Sequence, residues 1–285
     1  MKKPKLVHAL NGIKKKKELS ASSSLEIIRK KIAQKPAHMH IPSGKRCILP
    51  FSNSSSILVL GDGNFSYSAS LCKIIGHASN IISTCYDSEA ILKEKYPDCE
   101  EHIQTIESLA GTVLFGIDAT CLEKCKELKG RRFNRIIFNF PHTGAGIKDE
   151  ERNIAHNQEM LKKFFACSAR FLSNGESFFK SFSINDDRAL PLINMEAVED
   201  DEERGEIHVT LKMGNPYEKW NIKALAKEAS LKCKESFDFI PERYPGYCHR
   251  RTIGFDEDIS GNDLLNKHCK TFVFVKEEVI TNPKK

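Results

Sequence analysis

The sequence predicts an α/β protein with a doubly wound, mostly parallel sheet. Short apolar runs such as Ile57-Leu58-Val59-Leu60 alternate with longer mixed segments from about residue 56 onward. Hydrophobicity that is continuous along a run, and not alternating, is typical of strands covered on both faces. Strands separated by helices in this way build a parallel sheet with helices on each side.

The strands and helices follow in order. The apolar runs predict strands at 57–60, 81–86, 112–117, 135–140, 206–212 and 270–275. The segments between them predict helices at 66–75, 88–95, 122–128, 150–172 and 217–230. In the longest helix, Leu161, Phe165 and Leu172 share one stripe, as a helix packed on a sheet requires. A strand at 177–181 and a short helix at 24–33 are also compatible with the pattern.

Charge divides the chain into two parts. The net charge is +6, but residues 1–49 hold 13 Lys and Arg against two acids, so they carry +11 and the remainder carries −5. Lysine clusters, serines and prolines in residues 1–50 are typical of a disordered basic tail. We therefore predict one domain over 51–285, with an acidic insertion at about 173–204 that contains the run 199–203.

Ten cysteines are scattered singly, and no CxxC pair occurs. This spacing predicts reduced thiols and no metal site. No apolar stretch is long enough for a signal peptide or a membrane span, so we expect neither.

The turn after the first strand is rich in glycine. Gly61 and Gly63 allow the backbone to bend sharply and approach a ligand at a helix N-terminus. Ser66 stands where a dinucleotide-binding GxGxxG turn has its third glycine, which disfavours a pyrophosphate. In an open parallel sheet the ligand lies beyond the carboxyl ends of the strands, so the residues that follow the other strands are also candidates.

Acidic residues follow three successive strands. Asp87 is placed to accept ribose hydroxyls, Asp118 to accept an adenine amine, and Asp62 suits an amino-acid ammonium and would repel a pyrophosphate. Each acid alone is also an ordinary helix cap. Together they favour S-adenosylmethionine over NAD as the cofactor.

The fourth strand ends in Asn139-Phe140-Pro141-His142. A transferase acting on a planar nitrogen needs polar groups that fix the target N–H, which Asn139 could supply. Such an enzyme also needs a flat apolar side chain against which the target base can stack, and Phe140 or His142 could supply it. The alternative is an ordinary strand-to-helix turn shaped by Pro141.

Several motifs occur in the order found in a known family. They are Gly61-Asp62-Gly63-Asn64-Phe65-Ser66-Tyr67-Ser68, Thr84-Cys85-Tyr86-Asp87-Ser88, Phe138-Asn139-Phe140-Pro141-His142, Gly205-Glu206-Ile207-His208-Val209-Thr210-Leu211-Lys212 and Tyr244-Pro245-Gly246-Tyr247-Cys248-His249-Arg250-Arg251-Thr252. Over about residues 54–254 the chain resembles the eukaryotic 25S rRNA (uridine-N3)-methyltransferase-like family. The resemblance implies a Rossmann-like class I methyltransferase that uses S-adenosylmethionine on large-subunit rRNA. It also implies a nucleolar protein, with the cytoplasm as a second location, that binds rRNA or a pre-ribosomal particle, and we expect a monomer.

Site residues follow from these positions. We predict that the cofactor contacts Gly61, Asp62, Gly63, Asn64, Phe65, Asp87, Asp118 and Asn139. We predict catalytic roles for Asn139, His142 and His208, with His142 as the first candidate for the general base because histidine titrates near neutral pH. We predict substrate contacts for Phe140, Pro141, Tyr247, His249, Arg250 and Arg251.

Other interpretations remain open. In the segment 244–251, the tyrosines could stack on unpaired bases while Arg250 and Arg251 hold phosphates. Alternatively, this segment is a structural lid in which one of the two arginines pairs with an acid of the domain. The whole chain could also be a non-catalytic RNA factor that binds S-adenosylmethionine or a nucleotide. An NAD-dependent oxidoreductase is disfavoured by Asp62, Asp118 and the missing third glycine.

Overall fold

The computed structural model describes residues 55–174, 204–250 and 268–277. The predicted tail, the strand at 177–181, the helix at 24–33 and most of the insertion therefore lie outside the described residues, as does Arg251. The described residues all belong to one compact unit.

A seven-stranded sheet organises this unit. Its strands are β1 (Ile57–Leu60), β2 (Ile81–Thr84), β3 (Thr112–Leu114), β4 (Arg135–Asn139), β5 (Glu206–Lys212), β6 (Leu231–Asp238) and β7 (Cys269–Lys276). They lie in the order β3-β2-β1-β4-β5-β7-β6. The first five of these are parallel to one another, whereas β7 is antiparallel to both β5 and β6. The prediction of a mostly parallel α/β sheet is confirmed.

Helices cover both faces. They are α1 (Ser66–Ile75), α2 (Glu89–Lys95), α3 (Cys99–Ser108), α4 (Glu150–Ser168) and α5 (Ile222–Glu228). Along β1, Ile57 and Val59 join a core on the side of α1 and α3, whereas Leu58 and Leu60 join a core on the side of α4 and α5. A strand buried on both faces has this division, which explains why the run is continuously apolar.

Several predicted elements need correction. The segment 122–128 forms two short 3-10 turns, Leu122–Lys124 and Lys126–Leu128, and not an α-helix. The segment 217–230 is split by Asn221, whose positive φ of 51° separates the 3-10 turn Tyr217–Trp220 from α5. The long helix ends at Ser168 and continues as a 3-10 turn.

Two elements were not predicted. Helix α3 buries Cys99, Ile103 and Ile106 on one stripe, but its other positions are mostly polar. Strand β6 lies at the edge of the sheet, where most of its residues face solvent, so it lacks the apolar run that the prediction required.

Candidate functional site

The carboxyl ends of β1, β2 and β4, together with the chain after β3, surround a cavity of about 550 Å³. Twelve of the predicted site residues line it: Gly61, Asp62, Gly63, Asn64, Asp87, Asp118, Asn139, Phe140, His142, Tyr247, His249 and Arg250. Phe65 and Pro141 are buried in the turns that carry these residues and do not line the cavity.

The glycine turn leaves no room for a side chain at Gly61. Its φ is +61°, and a Cβ atom there would lie 2.6 Å from Cε2 of Phe138. Phe65 also has a positive φ, 62°, which non-glycine residues rarely adopt. It is fully buried, and its ring meets Phe115 edge to face at 5.8 Å. Close packing therefore holds the turn in a strained shape beside the cavity.

Asp62 joins the turn to the start of α1. Its backbone N–H donates to the carbonyl of Thr84, and its Oδ2 accepts from the backbone N–H of Ser68 at 2.8 Å. Burial raises the pKa of this carboxyl above its usual value, although the hydrogen bonds from Ser68 oppose the shift. A cation in the cavity would favour the ionised form.

The other two predicted acids have different partners. Oδ2 of Asp87 accepts from Nζ of Lys95 at 2.7 Å. Oδ1 of Asp118 accepts from both the amide and the hydroxyl of Thr120, at 2.8 and 2.7 Å. Burial would raise the pKa of Asp118, but these two bonds outweigh it and the pKa is lowered.

Asn64 and Arg250 meet at an acid that was not predicted. Asp98 accepts from Nδ2 of Asn64 at 3.0 Å and forms an ion pair with Arg250 through the same oxygen. Only 9% of the Arg250 side chain is exposed, so its guanidinium is held within the protein. The ion pair proposed in the structural-lid interpretation is present, and the structure gives no support to an RNA contact by Arg250.

The segment that precedes Arg250 is anchored to α1. Cys248 exchanges hydrogen bonds with the hydroxyl of Ser66, at 3.0 and 3.1 Å. Tyr67 packs against Tyr244 and Tyr247, with ring centroids 4.8 and 5.8 Å away. Burial and the neighbouring Tyr244 raise the pKa of Tyr67 well above its ordinary range. We call the rings of Tyr67, Tyr244 and Tyr247 the aromatic wall; those of Tyr67 and Tyr247 line the cavity.

Asn139 is the last residue of β4, and its side chain is held through its oxygen atom. Its Oδ1 accepts from the Thr210 hydroxyl at 2.6 Å, whereas its buried Nδ2 lies near the Tyr67 hydroxyl and forms no hydrogen bond of ordinary geometry within the described residues. The next residue, Phe140, has a positive φ of 51° and donates its N–H to the Thr210 carbonyl. The ring of Phe140 contacts His249 edge to face at 4.7 Å.

His142 lines the cavity as a hydrogen-bond donor. Its Nδ1 accepts from the backbone N–H of Gly144 at 2.9 Å. A neutral imidazole has one protonated nitrogen, so Nε2 must carry the proton in this arrangement. Burial and the charge of Lys212 lower the pKa of His142 and favour this neutral form. In this arrangement Nε2 is a donor, which does not fit the predicted role of general base, and the role of His142 stays a prediction.

The second candidate base, His208, does not reach the cavity. It is 2% exposed, and its Nε2 bonds Oε2 of Glu206 at 3.0 Å. The same carboxylate pairs with Arg135 at 3.4 Å and Lys234 at 2.8 Å. We call these four residues the basal cluster. Glu206 and Arg135 begin their strands, so the cluster extends toward the opposite edge of the sheet from the cavity, and the catalytic prediction for His208 is wrong.

Comparison with known proteins identifies the family. Residues 58–251 match the family described as BMT5-like, rRNA (uridine-N3-)-methyltransferase. The chain belongs to this family. A 25S rRNA (uridine(2634)-N(3))-methyltransferase of Saccharomyces cerevisiae is 30% identical over 303 residues, covering 96% of this chain and 87% of the yeast protein.

Two longer relatives match part of their length. Heavy metal-associated isoprenylated plant protein 41 of Arabidopsis thaliana is 32% identical over 225 residues, which are 79% of this chain. The chain spans only 38% of that plant protein. A human ferredoxin-fold anticodon-binding domain-containing protein is 28% identical over 67% of this chain and 27% of its own length.

The cavity fits S-adenosylmethionine, the cofactor of this methyltransferase family. Asp62, Asp87 and Asp118 all line the cavity and follow β1, β2 and β3, which are neighbours in the sheet, so their order matches that of an ammonium, a ribose and an adenine amine. Gly61 lies against the ring of Phe138, which also lines the cavity, so a side chain at Gly61 would displace that ring. Within the described ranges, no group of three His, Cys, Asp or Glu side chains is arranged for a metal, and no helix has the length and apolarity to span a membrane.

Asp98, Tyr67 and Thr210 hold or line the site, and none of them had been predicted. Asp98 precedes the missed helix α3, and its position before Glu100 and Glu101 is a recognisable N-terminal signal. Tyr67 follows the glycine turn on α1 and lines the cavity. Thr210 is a polar residue in a strand whose seven positions are all buried, which is a useful signal for a side chain with a specific partner.

Proposed function

We propose that this chain methylates N3 of a uridine in large-subunit rRNA, using S-adenosylmethionine. The observation that carries the proposal is the row of acids beside the Asn139–His142 turn in one cavity. Family membership and the name of the yeast relative support the choice of atom and RNA. We further propose that the protein works in the nucleus and nucleolus on rRNA or a pre-ribosomal particle.

The cofactor would be held at the glycine turn and at the three acids. Bound there, S-adenosylmethionine supplies an electrophilic methyl group. Asp62 would balance the ammonium charge, Asp87 would accept from the ribose, and Asp118 would accept from the adenine amine. Asp118 keeps its charge in this place because Thr120 holds one of its oxygens.

The target uracil would lie against Phe140 and the aromatic wall. Uridine N3 is flanked by two carbonyl groups, and its proton must leave before or during the reaction. Asn139 Nδ2 and His142 Nε2 are both N–H donors at the reactive strand end. Two donors facing the carbonyls would stabilise the negative charge of the deprotonated ring, as donors do at developing oxyanions.

The reaction then balances without a protein base. The N3–H bond breaks and its proton passes to water, the N3–methyl bond forms, and the sulfur–methyl bond breaks to leave S-adenosylhomocysteine. The lowered pKa of His142 favours the neutral imidazole, whose single proton lies on Nε2 while Nδ1 accepts from Gly144.

The decisive experiment uses labelled S-adenosylmethionine and 25S rRNA transcribed in vitro. After incubation, the RNA is digested to nucleosides, and 3-methyluridine is measured. We expect 3-methyluridine from the wild-type protein. Bound cofactor and RNA with no methylated nucleoside would instead support the non-catalytic RNA factor.

The role of His142 is tested by two variants. His142→Gln keeps an N–H donor but cannot accept the N3 proton at neutral pH, and we expect it to retain most of the turnover, whereas His142→Ala loses about tenfold. His77→Gln, an exposed histidine outside the cavity, is the matched control. Equal losses in the Gln and Ala variants, with the control unchanged, would restore the general-base role.

A further inference from the structure

A row of three polar side chains crosses the sheet at the level of the cavity. In the strand register, Asn139 of β4 pairs with Thr210 of β5, and Thr210 pairs with Thr271 of β7. The side chains bond along the same line: the Thr210 hydroxyl lies 2.9 Å from the Thr271 hydroxyl and donates to Asn139 Oδ1 at 2.6 Å. The row ends at the buried Nδ2 of Asn139, which lies near the Tyr67 hydroxyl and forms no hydrogen bond of ordinary geometry within the described residues.

The row restricts how the Asn139 amide can turn. Thr210 is 1% exposed and Thr271 is 4% exposed, so water does not compete for their hydroxyls. A hydroxyl has one proton to donate, and Thr210 gives it to Asn139 in this arrangement. The Asn139 carbonyl oxygen is therefore turned toward Thr210, and the NH₂ group points away from it, toward the Tyr67 hydroxyl at the cavity.

Thr210 also acts on the residue after Asn139. Its carbonyl accepts the N–H of Phe140 at 2.8 Å, where the backbone has the positive φ of 51°. This backbone bond continues the parallel ladder between β4 and β5 and does not depend on the side chain at position 210. The bond from the hydroxyl to Asn139 is the one that is specific to threonine.

We propose that Thr210 is a positioning residue that orients the Asn139 amide, and that the amide selects uridine over cytidine. This inference rests on the proposed function. Uracil has a carbonyl acceptor at C2 and another at C4, and we place the Asn139 NH₂ group opposite the oxygen at C4. Cytosine shares the C2 carbonyl but carries an amine at C4, so the Asn139 donor would there face a second donor. A buried donor left unpaired costs enough to discriminate between the two bases.

The test compares Thr210→Val with Thr210→Ser. Valine keeps the shape but removes the hydroxyl, so the amide can rotate, and serine restores the hydroxyl. Thr84→Val is the matched control, because Thr84 is equally buried in β2 and donates to a backbone carbonyl, without lining the cavity. Each protein is incubated with S-adenosylmethionine and 25S rRNA transcribed in vitro, and both 3-methyluridine and 3-methylcytidine are measured. Calorimetry and thermal melting report cofactor affinity and folding.

For Thr210→Val we expect the rate of 3-methyluridine formation to fall about tenfold, which is the effect of one lost orienting hydrogen bond. The ratio of 3-methylcytidine to 3-methyluridine rises, while cofactor affinity stays within about twofold. Thr210→Ser and Thr84→Val keep the wild-type ratio.

Two results would overturn the inference. An unchanged rate and ratio in Thr210→Val would mean that Asn139 is oriented by other contacts. A loss of cofactor affinity with an unchanged ratio would assign the row to the cofactor and not to the base. A wild-type protein that binds RNA but makes no 3-methyluridine would instead refute the proposed function, so the two failures are distinct.

Discussion

Replacing Glu206 by Gln should destabilise the fold strongly while leaving the reaction intact. Glu206 is the central acceptor of the basal cluster, with its side chain 10% exposed. Burial alone would raise its pKa, but hydrogen bonds from His208 and Lys234 and the charge of Arg135 outweigh burial and lower the pKa to about 2. The pKa in the unfolded chain is near 4.5.

The size of the effect follows from this difference. Each pH unit between the folded and unfolded pKa corresponds to about 1.4 kcal/mol, so the ionised carboxylate stabilises the fold by about 3 kcal/mol at pH 7. Because the folded pKa is the lower one, this stabilisation is present above pH 4.5 and is lost as the pH falls toward 2. At pH 3 more than half of it should be gone.

Urea unfolding followed by fluorescence is a suitable assay, because Trp220 is the single tryptophan and is fully buried. We expect Glu206→Gln to lower the free energy of unfolding by about 3 kcal/mol at pH 7 and by less than half of that at pH 3. Glu150→Gln is the control: Glu150 accepts from Lys219 at 2.7 Å, but both side chains are more than half exposed, so a loss below about 0.5 kcal/mol is expected. Equal losses in the two variants, or a loss that does not depend on pH, would refute this account. Loss of turnover by folded Glu206→Gln would argue that the basal cluster serves the reaction after all.

Three further predictions concern the cavity and the basic tail. Gly61→Ala should destabilise the fold by about 2 kcal/mol, because alanine is disfavoured at positive φ and its Cβ would meet Phe138; thermal melting and calorimetry with S-adenosylmethionine should both detect the change. Asp62→Asn should weaken the binding of S-adenosylmethionine about tenfold. Because burial raises the pKa of Asp62, affinity in the wild type should fall on acidification before an ordinary aspartate would protonate, and the variant should lack this pH dependence in calorimetry. Deleting residues 1–48 of the basic tail should lower the affinity for RNA and weaken its dependence on salt concentration, because lysines that contact phosphates are lost, but it should spare cofactor binding. Loss of cofactor binding would show that the tail is part of the fold.

The sequence was most informative where a side chain acts through its position along a strand. Gly61, Asp62, Asp87 and Asp118 follow strands of a parallel sheet, and the carboxyl ends of such strands share an edge, so their convergence could be predicted. The cofactor class followed from the same positions.

The contacts that settle individual roles could not be predicted, because they join distant segments. Arg250 and its partner Asp98 are 152 residues apart. The hydrogen bond from Gly144 to His142 is short in sequence, but it depends on the shape of a turn, and it makes Nε2 of the histidine a donor. The strand that contains His208 was predicted correctly, but the sequence did not show that the side chain is buried near the start of that strand, away from the cavity.

The two ends of the predicted insertion lie close together, and this affects how long the segment between them can be. On one side Ser173 donates to the carbonyl of Phe133, and on the other Gly205 donates to the carbonyl of Ser173 at 3.1 Å. The chain therefore departs and returns at the same place, beside the start of β4. Closing a loop between two adjacent points becomes only slightly more costly as the loop grows, by about 0.6 kcal/mol for each doubling. This junction can accept segments of very different length and composition while the geometry of the cavity, which lies at the other end of β4, is left unchanged.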